Sequence, residues 1–600
     1  METLDPGRLS RRSLLRALAA SAGAAALPPL GMRPARAETP DLPRNFGKGR
    51  TVAVVGAGMA GLTAGYRLAK AGFQVTIYEA DRRYGGRSLT VRPDDRNGQN
   101  GAYRRWWFNK YNPQALFPAM YVSRYQEDKA APGGSPNVEQ ICLFADDRWE
   151  RSKNPVELFL NAGPGRIPSD HAHLLQLCGE IGVELEPYIF QSNYNLLRSK
   201  EFRGGKPVAY NQINYSLRGE IAAQMAKRVD PSCDFNNSDT GRMLRMLKEF
   251  GDLNGQCEFP SSARLGYIDL PGGWNTPGKL KDKVPLDEVL KSGFVGGGDP
   301  ELTPGSFLFN ADNILWQNSL MQPIGGMDRI WQRLLVQPIP REAIRLHPND
   351  PREREIRGRN IHYVGDLVLL NSPVARIEHI QEANKIRVVT KNGFVAVADF
   401  CMSTMAPNLL QGILSDQFPD GFRDALGKVE QVPAIKVGWQ ARTRFWEEEN
   451  HIYGGISWTD DDIGQIWYPS EDFNARTGVL TGAYNRGPTA EQFGKLTQAQ
   501  RIAKALDGGQ NLHPSTGGND PGFKGKIYTD RGVTIAWQYM PFQVGGWAGL
   551  TATRQPEIYQ TIIKPQGRLY LAGDVYSYLP GWLEGAVTSV YKAIGALPAA

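Results

Sequence analysis

Thr51-Val52-Ala53-Val54-Val55-Gly56-Ala57-Gly58-Met59-Ala60-Gly61 decides the fold of this chain. The five apolar residues before Gly56 read as a short buried strand, and Leu62 to Ala71 read as a helix, so the glycines stand at a strand-to-helix turn. Gly56 permits the tight turn and Gly58 lets a pyrophosphate approach the backbone. Met59 and Ala60 then open the helix, and Gly61 lets it pack close to the strand while its N-terminus faces the anion. A second strand, Val75-Thr76-Ile77-Tyr78, ends in Glu79-Ala80. An acidic side chain about 20 residues after such a loop accepts from a ribose hydroxyl. Residues 51–80 therefore predict a dinucleotide site on a parallel sheet.

A chain of 600 residues with 41% hydrophobic content is long enough for a large core and more than one domain. The net charge of +7 is small for this length and its basic residues are scattered, which argues against a nucleic-acid partner. The first residues differ from the rest. Ser10-Arg11-Arg12-Ser13-Leu14-Leu15 leads into a small apolar run, Ala17 to Leu30, and then Ala35-Arg36-Ala37. That is the order of a charged region, an apolar region and a cleavage site, and the paired arginines resemble a twin-arginine export signal. The expectation is a signal peptide over 1–37, use of the twin-arginine export machinery, and a periplasmic or secreted mature protein. The five cysteines lack C-x-x-C spacing, so no metal site is expected; one disulfide is left open.

Glu79-Ala80-Asp81-Arg82-Arg83-Tyr84-Gly85-Gly86-Arg87 resembles the second glycine motif of the flavin amine oxidase superfamily. This resemblance implies FAD, with Gly85, Gly86 and Arg87 along its phosphate and ribityl side. Leu370-Asn371-Ser372-Pro373-Val374-Ala375-Arg376-Ile377 and Ile386 to Thr390 resemble the strand pair flanking the adenine, and Ala398 to Pro407 the strand that follows. Arg568-Leu569-Tyr570-Leu571-Ala572-Gly573-Asp574, followed by Pro580-Gly581-Trp582-Leu583-Glu584-Gly585-Ala586, resembles the last cofactor segment. There Gly573-Asp574 meets the ribityl and phosphate region, and the helix starting at Leu583 faces the ring. No cysteine follows Cys401, so the FAD is expected to be non-covalent.

Three further segments resemble the L-amino-acid oxidases within that superfamily. Leu160-Asn161-Ala162-Gly163-Pro164-Gly165-Arg166-Ile167-Pro168 matches a segment that touches the cofactor through Gly163, Pro164, Gly165 and Arg166, and whose arginine holds the substrate α-carboxylate. A guanidinium suits that task because its planar fork binds a carboxylate bidentately and stays charged. Ala434-Ile435-Lys436-Val437 matches the strand whose lysine binds a water beside flavin N5, and Gly478 to Tyr484 places Tyr484 with the arginine on the carboxylate. Gly581 and Trp582 match residues that flank the substrate amine and side chain. Two departures stand out. Residues 93–155 have no counterpart and are left as a lid, an interface arm or a cleavable loop, and no histidine lies between His173 and His347 to match one that relatives place near the amine. His171 and His173 read as ordinary helix residues.

The expected architecture is an α/β FAD-binding domain of Rossmann type (48–92, 321–430 and 545–600), the 93–155 insertion, a mixed-sheet substrate domain (156–190 and 431–544) and a helical domain (191–320). Residues 507–525 read as an exposed glycine-rich loop. The implied reaction is oxidative deamination of an L-amino acid by dioxygen, giving a 2-oxo acid, ammonia and hydrogen peroxide, and a homodimer is the expected assembly. An amino-acid 2-monooxygenase, an amine or polyamine oxidase, and a non-catalytic FAD-binding protein remain the alternatives. Trp467, Trp537, Trp547 and Trp582 hint at an aromatic site but read more readily as core.

Overall fold

The computed structural model describes residues 42–94, 117, 120–128, 138–144, 158–268, 272–273, 276–294, 308–309, 319–348, 350–549 and 555–598. The export segment 1–37 and Trp106-Trp107, Gly133-Gly134 and Asp146-Asp147 of the insertion lie outside these residues.

A five-stranded parallel sheet forms the centre of the cofactor half, in the order 368–369, 74–78, 51–55, 400–403 and 569–571. Its strands are gathered from three distant parts of the chain. Alternation along Thr51–Val55 sends Val52 and Val54 to one face and Ala53 and Val55 to the other. Helices Met59–Lys70 and Leu583–Gly595 cover the first face, and Arg67 of one donates to the phenol of Tyr591 on the other at 2.9 Å. An antiparallel three-stranded sheet, Val374–Ile380, Lys385–Thr390 and Val395–Ala398, covers the second. This is a Rossmann-type α/β fold. The helix can approach the strand because Gly61 has no side chain, since a Cβ there would collide with the Gly56 carbonyl oxygen.

The second half is built on a seven-stranded sheet in the order 208–209, 196–198, 456–459, 465–467, 479–486, 434–441 and 527–536. Two of these strands, Leu196–Arg198 and Val208–Ala209, come from the stretch assigned to the helical domain. They are too short to carry an alternating pattern, and pairing of Leu197 with Trp458 recruits the longer one. The helical stretch itself centres on Tyr210–Val229 and Gly241–Gly251, and the Cys233–Cys257 disulfide closes the same hairpin. The glycine-rich loop expected over 507–525 is helical at both ends, in Gln498–Leu512 and Gly522–Lys526. Gly508 and Gly509 sit inside the helix because their missing side chains make room for Ile463 and Phe523.

The described part of the insertion forms an antiparallel hairpin, Arg124–Glu127 with Val138–Ile141. It docks on the edge strand of the seven-stranded sheet. Glu127 is buried, accepts from the Ala536 amide at 2.9 Å, and receives two hydrogen bonds from Arg501 at 3.0 and 3.1 Å. Removing one member of such a pair leaves a buried charge without its counterion, which destabilises by roughly 3–5 kcal/mol. Glu127→Ala and Arg501→Met should each lower the thermal midpoint substantially. A melting curve like that of the wild type in either variant would contradict this account of the insertion.

Candidate active site

A cavity of about 340 Å³ opens between the carboxyl ends of the parallel strands and the seven-stranded sheet. Val55, Tyr78, Thr404 and Gly573 mark the strand ends on one side, and Ala434, Lys436, Tyr484 and Trp537 come from the other. The crevice beyond the carboxyl ends of parallel strands is where ligands of open α/β sheets bind.

Of the residues singled out in the sequence, Gly56, Gly58, Met59, Ala60, Glu79, Ala80, Gly85, Gly86 and Arg87 line one end of this cavity, with Val374 beside them. The two glycine motifs meet there: the Gly85 amide donates to the Ala57 carbonyl at 2.9 Å, and a Cβ on Gly58 would face only the Gly86 Cα, at 3.9 Å. Helix Met59–Lys70 has neither a side-chain cap nor an acid in its first turn, which leaves its N-terminal amides for an anion. Glu79 accepts from the amides of Ala57 at 2.6 Å and Asp81 at 2.8 Å. Burial pushes its carboxyl up to about 7, with those two amides pulling the other way. Each carboxylate oxygen keeps a lone pair for a hydroxyl donor. An uncapped helix start, an open glycine cradle and a buried carboxylate fit a diphosphate joined to a ribose.

Gly163, Pro164, Gly573, Asp574, Gly581, Trp582 and Leu583 line the rest of the wall. Asp574 is paired with Arg87 and accepts from the Gly581 amide at 2.8 Å, so the second and last cofactor segments are tied together. Glu584 turns away from the cavity. It accepts from the Leu174 amide at 2.7 Å and meets His173 Nδ1 at 2.7 Å, which caps helix Ala172–Ile181 from outside.

The opposite end is cationic and aromatic. Lys436 and Tyr484 stand directly opposite each other on adjacent antiparallel strands, and both line the cavity. Lys436 Nζ donates to the carbonyls of Asn161 at 2.9 Å and Gly163 at 2.6 Å. It is 3% exposed, and burial, assisted by the charge of Arg166, lowers its pKa to about 7. Arg166 stands just behind the wall rather than on it. Its guanidinium lies over the rings of Trp467 at 5.0 Å, Phe190 at 5.4 Å and Trp582 at 5.7 Å.

Four placements differ from the sequence reading. Arg166, expected against the cofactor as well as the substrate, is off the cavity wall, and Gly61, also expected against the cofactor, lies under the loop in the packing role its place in the turn implies. Gly165 also stands off the cavity: a Cβ there would sit 2.8 Å from the indole of Trp467, so it serves the approach of that ring rather than the cofactor. His171 is not an ordinary helix residue. It occupies the cap position before Ala172, is buried, packs edge-on to Trp582 at 5.0 Å, and is held down to about 4 by burial and by Arg166. Trp537 and Trp547, which read more readily as core, line the cavity, as does Thr404 at the end of its strand. Lys391 and Phe542 also line it and left no signal in motif or spacing.

The family model for flavin-containing amine oxidoreductases matches residues 148–593, and one for NAD(P)-binding Rossmann-like domains matches 54–121. The chain is similar to the flavin-dependent L-tryptophan oxidase RebO of Lentzea aerocolonigenes, with 24% identity covering 92% of this chain and 98% of the relative. It is similar also to the L-amino-acid oxidase of Mus musculus, with 23% identity covering 91% and 70%. Among solved structures, a variant of putrescine oxidase aligns with a TM-score of 0.50 and 16% identity over 91% of this chain and 98% of the other, a likeness of fold. By its family match, its glycine cradle and its Glu79 carboxylate, the chain belongs to the flavin-containing amine oxidoreductases, near the L-amino-acid oxidases, and its cofactor is FAD.

Proposed function

We propose that this enzyme oxidises the α-amino group of an L-amino acid, converting amino acid, dioxygen and water into a 2-oxo acid, ammonia and hydrogen peroxide. The observation that carries this reading is the buried Arg166 guanidinium, set on three aromatic rings next to the wall that Lys436 and Tyr484 line. A planar fork at that depth recognises a carboxylate bidentately. The substrates named for the two relatives are amino acids, which supports the same class here.

FAD, when bound, supplies the two-electron acceptor and the route from it to dioxygen. Gly56, Gly58, Gly85, Gly86 and Arg87 would hold its phosphate region, Glu79 its ribose, and Asp574 its ribityl chain. Arg166 and Tyr484 clamp the α-carboxylate and so fix the orientation of the Cα–H bond; positioning of this kind is the main contribution of the protein. Lys436 receives the proton of the substrate ammonium group. A neutral amine has two N–H bonds and one lone pair, and the carbonyls of Asn161 and Gly163 occupy both N–H bonds. The lone pair is then left for the cavity, and a pKa of about 7 makes it available at neutral pH. Export of the folded chain by the twin-arginine route is part of this proposal; the Cys233–Cys257 disulfide suits an oxidising compartment.

Three outcomes test the reading. Product analysis should give 2-oxo acid, ammonia and hydrogen peroxide in equal amounts, whereas an amide with little peroxide would make the enzyme a 2-monooxygenase. Arg166→Met should lower kcat/KM for the amino acid by the equivalent of about 2–5 kcal/mol, through loss of the charged partner; an unchanged kcat/KM would remove the carboxylate clamp. Because the neutral amine is the active form, anaerobic cofactor reduction should accelerate as pH rises through about 7 and then level off. Lys436→Met should abolish that limb.

A further inference from the structure

We propose that Trp467 is a positioning residue that holds the two site cations, Arg166 and Lys436, on one indole, an inference that rests on the reading above of Lys436 as proton acceptor. Lys436 Nζ lies 4.6 Å and Arg166 Cζ 5.0 Å from the centre of this ring. The indole is itself fixed. Its N–H donates to Gln465 Oε1 at 2.6 Å, the Gln465 amide donates to the Tyr484 carbonyl at 3.0 Å, and the Tyr484 ring meets it edge-on at 5.2 Å. Gly165 leaves the space the ring occupies. One side chain therefore touches all three residues assigned to the substrate.

Two like charges near each other in a buried site repel. The negative face of an indole attracts both cations and offsets that repulsion. The groups that face Lys436 are Arg166, whose charge disfavours its proton, the phenol of Tyr484, and the carbonyls of Asn161 and Gly163. Against these, the indole favours the protonated amine. Replacing it by an aliphatic side chain keeps the burial and removes the attraction, so Lys436 gives up its proton at lower pH and Arg166 loses one of its supports.

The test is the pH dependence of anaerobic FAD reduction by an amino acid in the wild-type holoenzyme, Trp467→Leu, Trp467→Phe and Lys436→Met, with calorimetric binding of butyrate as a readout that needs no turnover. In Trp467→Leu the limb should move down by about one pH unit and butyrate affinity should fall about tenfold, from the size of a desolvated cation–π contact. Trp467→Phe, which keeps an aromatic face, should show a smaller shift in the same direction and carries the test if the leucine variant does not fold. A limb that Lys436→Met abolishes but that stays at its wild-type pH in the Trp467 variants overturns this proposal alone. A limb that persists in Lys436→Met overturns the reading of Lys436 and this proposal with it.

Discussion

The two halves of this enzyme are held in register by the extended stretch Asn161 to Gly163. Its carbonyls alternate sides. Those of Asn161 and Gly163 accept from Lys436, and the one between them, on Ala162, accepts from the indole N–H of Trp537 at 2.9 Å. On the cofactor side the same stretch pairs Asn161 with Thr90, and the Gly163 amide donates to the Leu89 carbonyl at 3.0 Å. Gly163 is pressed against the Arg87 carbonyl so closely that a Cβ would collide with it. The second glycine motif of the cofactor half and the lysine of the substrate sheet are thus one peptide apart. Displacement of this stretch would move both sides of the cavity at once, and a shift of about 1 Å at a reacting centre is enough to cost orders of magnitude in rate.

The electrostatic design of the cavity differs between its ends. Around the nucleotide end the charges are matched: Glu79 accepts backbone amides, and Asp574 pairs with Arg87. Around the other end, Arg166 lies over the rings of Trp467, Phe190 and Trp582, and Lys436 donates to two peptide oxygens. Burial, and with it the field of Arg166, depresses the basicity of Lys436 and His171. In the proposed reaction, carboxylate recognition and proton transfer are therefore coupled through one guanidinium.

Much of this was legible because local chemistry wrote it. The strand, turn and helix from Thr51 to Lys70 follow from apolar alternation and from glycines that no other residue replaces. Gly85-Gly86 and Gly573-Asp574 were found by likeness to a family, and they converge on the same cavity from positions nearly 490 residues apart only because parallel strands bring them there. What escaped was written in contacts between distant segments. Gly165 resembles a cofactor glycine in sequence but serves the approach of Trp467, and Gly508-Gly509 resembles a loop but sits in a helix that needs close packing. Glu127 and Arg501 carry no spacing signal because they are partners across 374 residues. Trp467 reads as core by composition and is buried as core is; only its two cationic neighbours set it apart.

In the proposed reaction the site selects its substrate by a free α-carboxylate. The most direct measurement is an anaerobic titration of the purified holoenzyme, followed by flavin absorbance, with an L-amino acid and with the amine that lacks only its carboxylate. The amino acid should bleach the flavin at concentrations where the amine leaves the spectrum unchanged. Bleaching by the amine at the same or lower concentration would contradict it.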